Sequence, residues 1–257
     1  MSGNYFNLRR FWWLLKLEVF KSRKGILLLF VITFGMLFFA GLLLGLVIEK
    51  HVIVFQHEAG YAFSLLTGGY IVSSLAFNDL GNTLKRYKYL MLPVSTLERF
   101  VCMWLLTTIG WVILYTIIYT LYSFAANAIG QLIFSKVNFT PFDPLQSFSF
   151  QVIRIYLITQ GIFLVGAAHF RGYVFPKTLF VLILSAIVIG TITYFSLKEY
   201  FLADHYCEVT DDGNVDCGLI NSFMAHGVWN MAQWLFWWVL APLTWVITYL
   251  GLKGQEV

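Results

Sequence analysis

Cys207 and Cys217 close the run "CEVTDDGNVDC", and this pair is the clearest covalent chemistry in the chain. Asp211, Asp212 and Gly213 suit a three-residue hairpin loop, with Gly213 where a positive φ is wanted. That loop pairs Val209 with Val215 and sets Cys207 opposite Cys217, so a disulfide is expected between them. Such a bond needs an oxidising compartment and would contribute about 2–3 kcal/mol locally. Asp212, Asn214 and Asp216 have the alternate spacing of a calcium loop. Cys217 stands where that loop needs Gly, however, and Phe223 where it needs Glu, so the acidic turn reads as solvated. His51, His57 and Glu58 could hold a metal only if brought together, and they read as parts of a short exposed loop. No metal site is expected.

Catalytic motifs are missing as well. There is no HExxH pair, no GxSxG turn and no GxxxxGK[ST] phosphate loop, so no catalytic residue is assigned and ATP cannot bind by that route. No group of polar side chains stands out at a shared membrane depth. Arg154 is the one charge placed to enter a span, and it reads as reaching back to headgroups. Cys102 reads as a free, buried thiol, and Asn138-Phe139-Thr140 as a chance glycosylation triplet.

The elements that position these residues are set by the solvent. Charged residues make up 12% of the 257 residues and aromatics 19%. A helix needs roughly 20 apolar residues to cross a hydrocarbon core about 30 Å thick. Uncharged stretches of that kind predict an all-α, polytopic membrane protein with six spans, at 26–48, 59–77, 95–127, 152–170, 178–197 and 229–251. The first apolar run is too long, and lacks the small-residue site, for a cleavable signal peptide.

Basic residues orient the weave. Of the 17 Lys and Arg, all but Lys50, Lys136, Arg154 and Lys198 fall on one side. Inner loops retain Lys and Arg, so both termini are expected in the cytoplasm. The net charge of +4 therefore reports topology rather than nucleic-acid binding. The outer loop 198–228 carries six acidic residues against Lys198, which agrees with an oxidised hairpin there.

Three local readings follow. Leu8, Trp12, Leu15 and Val19 recur at helical spacing among Arg9, Lys16 and Arg23, which predicts an amphipathic helix over 4–23 lying on anionic lipid, the alternative being a cytoplasmic extension of the first membrane helix. Pro93 disfavours helix at Leu92, and Ser95 with Glu98 has capping-box spacing, so the third span should start near Ser95. The segment 79–90, with Lys85, Arg86 and Lys88, is left as a short basic element at the inner surface. Beyond Cys217, the apolar run 219–228 is too short to span and could re-enter the outer leaflet before the Trp-rich last helix.

"FNLRRFWWLLKLEVFKSRKGILLLF" (Phe6–Phe30) and "YKYLMLPVSTLERFVCMWL" (Tyr87–Leu105) resemble the permease subunit of ATP-binding cassette exporters of the type-2 permease superfamily, in a short six-span bacterial form. The resemblance implies that 4–23 is an elbow helix and that 79–90 is the coupling element, with Lys85, Arg86 and Lys88 contacting a cytosolic ATPase. It implies a re-entrant segment at 219–228, a second permease copy, and a substrate pathway between the copies. It also implies a bacterial cytoplasmic membrane and an ATPase partner that binds ATP and Mg, with no cofactor and no enzymatic activity in this chain. Substrate residues follow no shared motif, so none is assigned. A membrane-embedded scaffold without transport has the same layout.

Overall fold

The computed structural model describes residues 6–47, 57–81, 86–87, 91, 93–133, 141–203, 208–209, 215–216, 230–231 and 233–254. They form α1 (Leu8–Val47), α2 (His57–Leu75), a 3-10 turn (Asn78–Gly81), α3 (Thr96–Leu105), a π turn (Leu106–Gly110), α4 (Trp111–Ile133), α5 (Ser147–His169), α6 (Val174–Ala203) and α7 (Leu240–Lys253). Residues 230–231 and 233–238 are also helical, ahead of α7. A two-residue antiparallel pair, β1 (Glu208–Val209) and β2 (Val215–Asp216), sets Val209 opposite Val215.

Among the described residues, four helical stretches are long and apolar enough to cross a membrane: Leu8–Leu43, Thr96–Leu132, Ser147–His169 and Val174–Phe195. The chain is thus a membrane-embedded helical protein. α2 falls short of that measure because it carries His57, Glu58 and several Gly, Ser and Tyr residues. Its Tyr61, Ser64, Leu65, Ser73 and Ser74 are buried against other helices. A helix whose polar groups are satisfied by neighbours need not be uniformly apolar.

The expected separate helix over 4–23 is corrected here. Residues 8–47 form one helix without a break. No Pro or capping pattern intervenes, and Gly25, with nothing within 4 Å of a Cβ placed there, costs a helix only about 1 kcal/mol. At 1.5 Å per residue α1 is about 60 Å long, twice the hydrocarbon thickness. About half of it therefore lies outside the apolar layer. The half that does so carries Arg9, Arg10, Lys16, Lys21, Arg23 and Lys24. Lys16 lies over the rings of Trp12 and Trp13, and Arg23 over Phe20.

Two cores hold the bundle. The first is aromatic. Phe30 of α1 stacks on Trp111 at 5.6 Å between centroids, Tyr61 meets Phe142 at 4.5 Å, and Tyr70 stacks on Phe163 at 4.4 Å. The second, at the opposite end, gathers Phe77, Leu80, Met103, Leu164, Ala167, Val174 and Leu252. α2 and α5 approach closely at Gly69, where any Cβ would overlap the Tyr156 ring. α6 keeps most of its apolar side chains exposed, among them Phe180, Ile183, Ile187, Ile189 and Ile192. In a bilayer such a surface meets lipid.

Candidate coupling junction and buried polar seam

Ser95 begins the junction. Its extended backbone stops helix on one side, and its hydroxyl accepts the Glu98 N–H at 3.2 Å. The Glu98 carboxylate reaches back to the Ser95 N–H at 2.8 Å, which completes the capping box. Glu98 is fully buried, and its other oxygen accepts the Asn7 N–H at 2.7 Å. Arg10 lies 3.5 Å from the same oxygen and donates to the Pro93 carbonyl at 3.2 Å. One carboxylate thus binds the start of α1 to the start of α3, across 91 positions of sequence.

A second tie joins α1 to the 3-10 turn. Lys21 of α1 pairs with Asp79 of the 3-10 turn and lies 3.7 Å from Glu18. Phe77 and Leu80 on either side of Asp79 are buried in the second core. A Cβ on Gly81 would meet the Gly172 backbone nitrogen at 3.5 Å, so the turn also abuts the α5–α6 connection. There Gly172 and Tyr173 adopt φ of +61° and +50°, two left-handed residues that reverse the chain sharply. Glycine bears this freely, while a bulky side chain such as Tyr173 does so at a cost of about 1–2 kcal/mol. Lys177 Nζ donates to the Arg171 carbonyl at 2.8 Å across the same bend.

Of the basic trio assigned to the coupling element, Arg86 is half-buried in a helical dipeptide with Tyr87, which is exposed. Lys85 and Lys88 lie outside the described residues. So do Cys207, Cys217, Asp212, Asn214, Phe223, His51, Asn138 and the segment 219–228. Cys102 is described and is free and buried.

One reading of the sequence is corrected at the other end of the bundle. His57 is not in an exposed loop; it opens α2, is buried, and lies 2.9 Å from the Asn127 amide nitrogen. Tyr119 donates to the His57 carbonyl at 2.8 Å. Burial pushes the imidazole below the usual histidine range, and the Asn127 bond opposes that shift. Among the described residues, no three His, Cys, Asp or Glu side chains are grouped as metal ligands would be.

Buried polar side chains form a seam that runs along α2 from Tyr61 to Ser73. Tyr61 meets Thr116 at 2.9 Å, Tyr115 donates to Ser64, and Tyr70 meets Thr159 at 2.7 Å. Gln160 donates to Thr108 at 3.1 Å and accepts from Ser73 at 3.5 Å. The π turn matters here. It moves carbonyl acceptors one residue along the helix, a distortion found often at functional sites. Within it the Thr107 carbonyl accepts the buried Tyr156 hydroxyl at 2.6 Å.

Charge counting misses this seam because none of its members is ionised. A signal was present: Trp111, Tyr115, Tyr119 and Tyr122 recur at helical spacing on one face of α4. Asn7 and Arg10 carried no signal, since their partner is set by tertiary packing. No protein-family model, no curated protein and no solved structure matches the chain.

Proposed function

We propose that this chain is the membrane-spanning subunit of an ATP-driven exporter, coupled to a separate cytosolic ATPase that holds ATP and Mg. Six spans would place both termini and the 79–90 element in the cytoplasm of a bacterial cell. The Cys207–Cys217 hairpin and the re-entrant 219–228 segment would then lie outside. The substrate pathway would form between this subunit and a second permease copy.

The observation that carries this reading is the junction at Glu98. A partner pressing on Lys85, Arg86 and Lys88 would act on a segment bounded by two anchored points. At one end Asp79 is tied to Lys21, and at the other Ser95 and Glu98 are tied to Asn7 and Arg10. Both anchors lead into α1, and the second starts α3. A push would therefore move two long helices together, as a lever must. The membrane scaffold is the second reading, favoured by the dense internal satisfaction of the polar seam. Isolation from native membranes in mild detergent separates them. The exporter reading expects a stoichiometric ATPase subunit whose hydrolysis survives purification. Isolation of the chain with no nucleotide-hydrolysing partner would favour the scaffold.

A further inference from the structure

Arg154 is unlike the other cations of the chain. It stands seven residues into α5, about 10 Å along the axis from Ser147, inside a stretch apolar enough to cross a membrane. Its side chain is exposed. The guanidinium lies over the Trp237 ring, 4.1 Å from the centroid. Among the described residues it makes no ion pair. A cation at such depth is costly and as a rule faces a ligand, a partner or a pathway.

Stacking on Trp237 covers one face of the guanidinium and holds it in place. Its edge is left with planar N–H donors, a fork that matches phosphate oxygens two at a time. Gln151, three residues earlier on the same flank of α5, is also exposed and adds an amide. Trp234 and Trp238 present exposed rings beside Trp237, an apolar wall of the kind an acyl chain packs on. A side chain that merely snorkels would extend freely to the interface; this one is fixed against a ring.

We infer that Arg154 and Trp237 form a binding point for a phosphate-bearing amphiphile, in the half of the bundle away from the Glu98 junction. This site is independent of the coupling reading. The long Arg154 side chain can reach the headgroup layer, where a phosphodiester is the anion that a bilayer supplies, and the aromatic wall selects an amphiphile over a free ion.

The test uses the full chain, purified in mild detergent and titrated with phosphatidylglycerol, with diacylglycerol as uncharged comparator and inorganic phosphate as free anion. Bound molecules are counted by native mass spectrometry. One phosphatidylglycerol per chain is expected. Arg154→Gln should weaken it about tenfold or more, the worth of a charge-assisted hydrogen bond. Arg154→Lys, which keeps the charge and loses the fork, should fall between. Trp237→Leu, which keeps the cation and removes its platform, should weaken binding about threefold or more. Inorganic phosphate should fail to displace the lipid; displacement by phosphate alone would overturn the selection of an amphiphile over a free ion. Should Arg154→Gln fail to fold, Arg154→Lys and Trp237→Leu carry the comparison. Wild-type affinity in every folded variant, or diacylglycerol bound as tightly as phosphatidylglycerol, would overturn the assignment.

Discussion

Replacing Glu98 with Ala tests the junction at its centre. The substitution leaves the Ser95 and Asn7 N–H groups without their acceptor and removes the Arg10 ion pair. Both N–H groups are only part-buried, so each lost hydrogen bond costs about 0.5–1.5 kcal/mol. The Arg10 side chain is 36% exposed, so its ion pair is screened and adds at most about 1 kcal/mol. A local penalty of about 1–4 kcal/mol follows, or a faster local opening by about 5- to 1000-fold. Amide hydrogen exchange resolves where it falls. Faster exchange is expected at two separated places, residues 7–12 and 95–100, because one carboxylate serves both. Ser95→Ala removes only the capping hydroxyl, at about 1 kcal/mol, and should loosen 95–100 alone. If Glu98→Ala loosens 95–100 and leaves 7–12 protected, Glu98 does not anchor α1, and the lever argument fails.

Other perturbations test the remaining parts. Gly69→Val should overpack the α2–α5 contact against Tyr156 at about 1–3 kcal/mol, seen as a lower melting temperature in detergent; an unchanged value would mean the helices are not so close. His57 has a folded pKa below its unfolded one, so the unfolded chain binds the proton first as pH falls, and stability should decline from about pH 6.5 downward. Melting at pH 7.5 and 5.5 should differ more for wild type than for His57→Gln, and equal differences would count against a buried neutral imidazole. Alkylation of the native protein without reductant should spare Cys207 and Cys217, whereas reduction exposes both. Cys102, fully buried in the bundle, should react only after denaturation. Labelling of Cys207 and Cys217 before reduction would remove the outer disulfide.

The start of α3 was legible because its determinants are local. Pro93, Ser95 and Glu98 act within six residues, and each works by backbone chemistry that needs no partner from elsewhere. The continuity of α1 was less so. Two patterns meet near Lys24, one amphipathic and one uniformly apolar, and a change of environment along a helix looks like a change of element. The environment of His57 could not be read at all, because burial depends on Asn127 and Tyr119, which lie 70 and 62 positions away. The polar seam was hidden by weighing only ionisable residues; in an apolar bundle, neutral hydroxyls and amides also demand partners. The π turn has no sequence signature that would have marked Thr107 in advance.

The central claim is that force from a cytosolic ATPase enters through the basic element between α2 and α3. Charge reversal of Lys85, Arg86 and Lys88 together, in the complex isolated from native membranes, tests it most directly. The account predicts loss of ATPase association, or hydrolysis no longer coupled to this chain, with the folded chain itself retained. Unchanged association and unchanged hydrolysis in the triple variant would contradict it.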